Sequence, residues 1–290
     1  MKSSRELLKK VREIEIRTSR LVNSYLTGGY HSSFKGHGIE FDEVRKYTIG
    51  DDVRTMDWKV SARYNEPFIK RFREERELNV IILADFSAST MFGFERTKHN
   101  LIIEISALLA FSAFKNSDKV GLLIFTDEVE KFIPLGKGKN HILEIIRELI
   151  EFSPKSVETN IENALKHFNT IQKKDSIVFL ITDTCSHLPQ REINIVRKKH
   201  DFVVCLINDV LEYELPNFSG TLVLSDSESG ENIYFDMSNK RLRDRYSKEQ
   251  KNILEEKINF LKKNSIDNIV LDTSDDYINE FIKFFHRRRR

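Results

Sequence analysis

Five side chains in this sequence offer the hard oxygen donors that suit Mg²⁺ or Ca²⁺: Asp85, Ser87, Ser89, Thr159 and Asp183. The first three belong to one stretch, NVIILADFSASTMFG, from Asn79 to Gly93. Val80 to Ala84 is an unbroken apolar run, short enough for a strand buried on both faces, and Asp85 stands where it stops. Thr159 lies in the loop SVETN, and Asp183 ends the run DSIVFLIT. If the strands are parallel, all three loops leave one edge of the sheet, where open α/β sheets bind ligands. Two carboxylates would neutralise a divalent cation and three hydroxyls would fill most of its shell. At least one position would stay open for water or an incoming carboxylate. Taken singly, each hydroxyl reads better as a helix cap. Taken as a set with the spacing D-x-S-x-S, metal binding is the better reading.

The elements that must position these residues alternate along the chain. After the Val80 strand, Arg96 to Phe114 is a helix that is apolar nearly all round. Lys119 to Thr126 is a second buried strand, and Glu128 to Leu135 pairs with it as a hairpin. Helices follow over Asn140–Phe152 and Asn160–Gln172, then a third strand over Asp175–Thr182. Pro189–Lys199 is a helix and Phe202–Ile207 a fourth strand. Residues 208–239 form a looser excursion with a hairpin between Gly220 and Phe235. A helix over Arg241–Lys263, a strand over Asn268–Leu271 and a helix over Asp275–Phe285 close the chain. The alternation predicts an α/β fold with a doubly wound, mostly parallel sheet over residues 79–290. Residues 1–78 form an extension. Ser3–Leu26 reads as an amphipathic helix, and Lys35–Glu77 as an irregular, densely charged segment with one edge strand near Phe68–Phe72. That segment carries ten Lys/Arg and ten Asp/Glu, a balance that suits an ion-pair layer better than a nucleic-acid patch.

Composition narrows the function. Of the 290 residues 40% are hydrophobic and 32% charged, with a net charge of +2, so nothing pulls the chain toward nucleic acid. The longest apolar candidate, Leu101–Phe114, is too short for a membrane span and contains Glu104. The N-terminus lacks an apolar signal region, and the two cysteines, Cys185 and Cys205, read as reduced thiols of a cytoplasmic protein. Gly136-Lys137-Gly138-Lys139 lacks the P-loop frame, and neither H-E-x-x-H nor G-x-S-x-G occurs. An aspartyl-phosphate phosphatase would need an acid at position 87, which is serine. The C-terminal basic tip from His286 reads as a solvated end.

Asp85-Phe86-Ser87-Ala88-Ser89, Thr159 and Asp183 resemble the metal-ion-dependent adhesion site (MIDAS) of von Willebrand factor A domains. GHGIEFDEVRKYTIGDDVRTMDWKVSAR (Gly36 to Arg63), followed by FIKRFREEREL, closely resembles the signature of domain-of-unknown-function family fifty-eight. That family is a bacterial group of von Willebrand A-like proteins whose genes commonly accompany those of MoxR-type AAA+ ATPases. The resemblance implies a Rossmann-like von Willebrand A sheet and a non-enzymatic interaction module. Its Mg²⁺, or another divalent cation such as Mn²⁺ or Ca²⁺, would grip a carboxylate of a MoxR-type ATPase or of a shared client. Glu158 before Thr159, and Thr184-Cys185 after Asp183, depart from the glycines usual there. The alternative is a metal-dependent hydrolase using Asp85 and Asp183, with Asp51, Asp52 and Asp57 holding a second ion. Within the signature, Trp58, Phe41 and Tyr47 are expected to pack down as a plug. Arg54 is expected to fork onto Asp51, Asp52 or Asp57, with Arg45 and Arg63 as further donors. A docking surface for a partner is the other reading of this segment.

Overall fold

The computed structural model describes residues 12, 40–73, 77–93, 96–225 and 232–288. The helix expected over Ser3–Leu26 lies outside the described residues. The chain divides into two compact units, and Lys35–Leu78 is one of them. In it, β1 (Glu40–Lys46) is followed by a 3-10 turn at Val53–Thr55, α1 (Trp58–Tyr64) and β2 (Phe68–Arg73). β1 and β2 pair antiparallel, with a bulge between Phe41 and Glu43. That bulge breaks the alternation in EFDEVRK, which is why β1 escapes a reading by periodicity. Ion pairs do form here: Arg45 forks onto Asp51 at 2.7 and 2.9 Å, Lys46 meets Glu66, and Lys70 lies 3.7 Å from Asp57.

Two expectations for this segment fail. Trp58 is 70% exposed, so it plugs nothing. Arg54 gives its backbone N–H to Asp52 at 2.9 Å, and the guanidinium that forks onto an acid belongs to Arg45. A unit this small has little interior, and α1, at seven residues, is too short to bury an aromatic at its first position.

The second unit carries the predicted sheet. In chain order it runs β3 (Asn79–Asp85), α2 (Lys98–Lys115), β4 (Lys119–Phe125), β5 (Val129–Gly136), α3 (Lys139–Glu151), α4 (Ile161–Ile171) and β6 (Ile177–Asp183). There follow α5 (Gln190–Arg197), β7 (Asp201–Asn208), α6 (Val210–Tyr213), β8 (Thr221–Ser225), β9 (Asn232–Asp236), α7 (Lys240–Lys263), β10 (Asp267–Asp272) and α8 (Tyr277–Arg288). The sheet order is β10-β7-β6-β3-β4-β5. Every neighbouring pair is parallel except the β4–β5 hairpin, and β8–β9 form a separate ribbon.

β3, β4, β6 and β7 are buried along almost their whole length, as strands sheathed on both faces must be. Ile81, Leu83, Leu123, Phe125, Val178, Leu180, Val204 and Leu206 join one core cluster with side chains of α4, α5 and α7. The alternate residues on each strand face the other way, where α2 lies against β3 and β4. Each fully buried Leu or Ile contributes about 1.5–3 kcal/mol, and α2 alone buries Leu101, Ile102, Ile105, Leu108 and Leu109. Within the basic tip, Arg288 bonds Asp201 at 2.6 Å and Asp267 at 3.2 Å, tying α8 to the starts of β7 and β10. Among the described residues no helix is long and apolar enough to cross a membrane.

Candidate metal centre

The chain leaves β3 through α2 to β4 on one side, and later returns to lay β6 on the other. The C-terminal ends of β3 and β6 are therefore the switch point of the sheet, where its loops diverge and leave a crevice. Asp85 ends β3 and Asp183 ends β6, and neither is exposed to solvent.

The loop after β3 is anchored at both ends. Phe86 N–H bonds the Phe125 carbonyl at 2.9 Å, and Ala88 N–H bonds the Val157 carbonyl at 2.9 Å. A 3-10 turn over Ala88–Met91 then brings the chain to Gly93, whose φ is +141°. A Cβ there would lie 2.4 Å from the Arg96 carbonyl oxygen, so only glycine closes this loop.

Ser87 stands at the cap position of that turn, yet its side chain caps nothing. Its Oγ donates to Asp85 Oδ1 at 2.6 Å, alongside its own N–H at 3.0 Å. Asp85 Oδ2 accepts from Thr182 Oγ1 at 2.6 Å, a contact set by the parallel register of β3 and β6. Ser89 Oγ lies 3.1 Å from Ser87 Oγ, within hydrogen-bond reach. A hydroxyl has one proton. Ser87 gives its proton to Asp85, so the Ser89 hydroxyl is the donor in the contact between the two serines.

Among the described residues no Lys, Arg or His forms an ion pair with Asp85. Burial, and then the charge of Asp183, push its carboxyl up to about 6, against the hydrogen bonds from Ser87 and Thr182. Asp183 is differently placed. Its Oδ1 accepts from Cys185 N–H at 3.1 Å, Ser186 N–H at 3.0 Å and Ser186 Oγ at 2.8 Å. Its Oδ2 accepts from Lys98 Nζ at 2.8 Å. Burial is the largest influence and works to raise its pKa, but the charge and hydrogen bond of Lys98 together with the serine hydroxyls outweigh it and hold the carboxyl below the ordinary range. Lys98 is itself fully buried, and its Nζ also reaches Glu212 Oε1 at 2.5 Å. Burial would lower the ammonium's pKa, but the two carboxylates raise it. Glu212, in α6, is held above its usual range by burial despite the nearby lysine.

Oxygen and sulfur atoms of Asp183, Cys185 and Glu212 also cluster within 4.8 Å of one another. Lys98 already binds both carboxylates, so the positive charge a metal would supply there comes from the chain. The hard-oxygen side of the crevice, at Asp85, Ser87 and Ser89, has no such cation.

The structure thus brings together Asp85, Ser87, Ser89 and Asp183. Thr159 lies half-buried two residues after Val157, and the cap of α4 is Asn160, whose Oδ1 takes Asn163 N–H at 2.9 Å. The capping explanation therefore fails for Ser87 and for Thr159. Lys98, Thr182, Ser186 and Glu212 escape a reading of the sequence. For Lys98 a signal exists: it is the first residue of α2, where the helix dipole disfavours a cation unless an acid faces it. Each of the three acids expected to hold a second ion is engaged within its own unit. Arg45 holds Asp51, Asp52 caps the 3-10 turn, and Asp57 caps α1 through Lys59 and Val60 N–H.

The family described as "Protein of unknown function DUF58" matches residues 43–256. Over 224 residues the chain is 27% identical to Uncharacterized protein Rv1480 of Mycobacterium tuberculosis, covering 76% of this chain and 70% of that protein. It is 30% identical over 113 residues to Uncharacterized protein YeaD of Bacillus subtilis, covering 39% of this chain and 26% of that one. Among solved structures, conserved hypothetical protein BatB from Bacteroides thetaiotaomicron covers 73% of this chain and 98% of its own at 13% identity and a TM-score of 0.46. At that score the likeness lends nothing to the reading of the site.

Proposed function

This chain belongs to the DUF58 family, and we propose that it is a non-enzymatic, divalent-metal-dependent protein-interaction module of the von Willebrand A type. Asp85, Ser87 and Ser89 hold the ion, and Thr159 and Asp183 complete its surroundings. The observation that carries this reading is Asp85: among the described residues it is a buried carboxylate bonded only by hydroxyls and one backbone N–H, with no cation paired to it and the Ser89 hydroxyl close by. A bound Mg²⁺ or Mn²⁺ supplies the missing positive charge and an open position for a partner's carboxylate. Lys98 holds one oxygen of Asp183, and Ser186 with Cys185 N–H holds the other, so this acid is positioned to act on the ion's outer surroundings. The partner we expect, from the family signature, is a MoxR-type AAA+ ATPase or a shared client in the cytoplasm. The hydrolase reading loses ground because the acids meant for its second ion are each engaged elsewhere.

Calorimetric titration of Mg²⁺ and Mn²⁺ into wild type and Asp85→Asn is the test. Saturable heat in the wild type, absent from the variant, is expected. Equal weak heats in both would overturn the reading. Binding of the ATPase should then fall with EDTA and with Asp85→Asn alike.

A further inference from the structure

The chain's only tryptophan stands in solvent on a helix whose other side is fixed. Asp57 N–H bonds the Phe68 carbonyl at 2.9 Å, and Phe68 N–H bonds Ser61 Oγ at 2.8 Å, so the base of α1 is fastened to β2. The Asp57 carboxylate caps the helix start, and Asn65, with φ of 56°, ends it. What faces out is Trp58, Lys59, Ala62 and Arg63, with exposed Val53 and Arg54 just upstream.

The charges of this unit are not evenly paired. Asp51, Asp57 and Glu66 are taken by Arg45, Lys70 and Lys46. Among the described residues Arg54, Lys59 and Arg63 form no ion pair. Three cations thus stay unpaired on the side that carries the exposed indole, against one exposed acid there, Asp52. Trp and Arg are the residues most enriched where binding energy concentrates, and an indole offers roughly 150–250 Å² of apolar surface to a partner.

We propose that this face is a docking surface for an acidic, apolar-bearing segment of a partner protein, whose apolar side chain covers Trp58 while its carboxylates meet Arg54, Lys59 and Arg63. Charge complementarity selects an acidic partner. A lipid surface is disfavoured because α1 spans only about 10 Å, too little for a helix lying in an interface. Nucleic acid is disfavoured because three cations would neutralise few phosphates. The proposal is independent of the metal centre.

The experiment uses the full-length protein in EDTA, so that the metal centre contributes nothing. A random dodecapeptide display library is panned on it, and the enriched peptides are synthesised and titrated by calorimetry, with the emission of Trp58 followed in the wild type. The expected result is peptides combining Asp or Glu with Leu, Ile or Phe, whose binding shifts Trp58 emission to the blue. Trp58→Ala should weaken them about thirty-fold or more. The triple variant Arg54→Glu, Lys59→Glu, Arg63→Glu should abolish binding, and Asp85→Asn should not alter it. Absence of enrichment, peptides without acids, or unchanged affinity for Trp58→Ala would overturn the proposal. So would tighter binding of phosphatidylglycerol vesicles or a single-stranded oligonucleotide than of any peptide.

Discussion

Lys98 Nζ lies 2.8 Å from Asp183 Oδ2, and neither side chain has any exposure to solvent. The pair is the electrostatic floor of the crevice. Lys98→Met leaves Asp183 and Glu212 without their cation, and breaking a buried pair by removing one partner costs about 3–5 kcal/mol. Urea denaturation should show that loss. The double variant Lys98→Met, Asp183→Asn should lose less than the two single losses added together. Strict additivity would mean the two groups do not interact.

Mg²⁺ should stabilise the fold through Asp85. A ligand at one hundred times its dissociation constant adds about 2.7 kcal/mol to the folded state. Wild type should gain that much in denaturant titrations with saturating Mg²⁺ and lose it on adding EDTA. Asp85→Asn should show no response, while keeping a midpoint close to that of the metal-free wild type. The buried charge it removes faces Asp183 with no cationic partner of its own among the described residues.

His200 should make stability fall in mild acid. Its ring is buried against Phe168 at 5.0 Å, and neither nitrogen has a hydrogen-bond partner among the described residues. Burial, then the charge of Lys199, push its pKa down to about 4 from 6.5. The folded state thus refuses a proton that the unfolded state accepts. Stability is full above pH 6.5 and is lost as pH falls from there toward 4, by about 2 kcal/mol between pH 7.5 and 5. His200→Phe should remove that part of the dependence, measured as the difference between the two proteins' urea midpoints at each pH.

Cys185 should be a slow thiol despite an exposed surface. Burial of its sulfur, then the charges of Asp183 and Glu212, push its pKa up to about 12, and Sγ lies 3.6 Å from Glu212 Oε1. The thiolate is the reactive form. Iodoacetamide at pH 8 should modify it far more slowly than a free cysteine, and Glu212→Gln should speed the reaction. Rapid labelling of the wild type would contradict the geometry.

The central strands are legible in the sequence because a strand covered on both faces must be apolar along its run, as VIILA and IVFLI are. The carboxylates are legible because they end those runs. Lys98 is harder to read: a cation at the start of an apolar helix is a hint only, because its acids lie 85 and 114 residues away. Thr182 is hidden because its contact with Asp85 depends on the register between two strands, which no local pattern carries. Trp58 misleads because aromatic residues are usually core, and the size of the unit around it decides otherwise.

The adjacency of β3 and β6 has a consequence in time. Asp85 and Asp183 are joined by a parallel pairing that must wait for almost a hundred residues of intervening chain, and such pairings form late because loop closure precedes any reward. During synthesis a nascent chain ending short of β6 presents Asp85 and its two serines without Asp183, and Lys98 without either of its acids. The crevice between Asp85 and Asp183 therefore assembles only once the central sheet is whole, and under the proposed function its occupancy by metal would report that folding has finished.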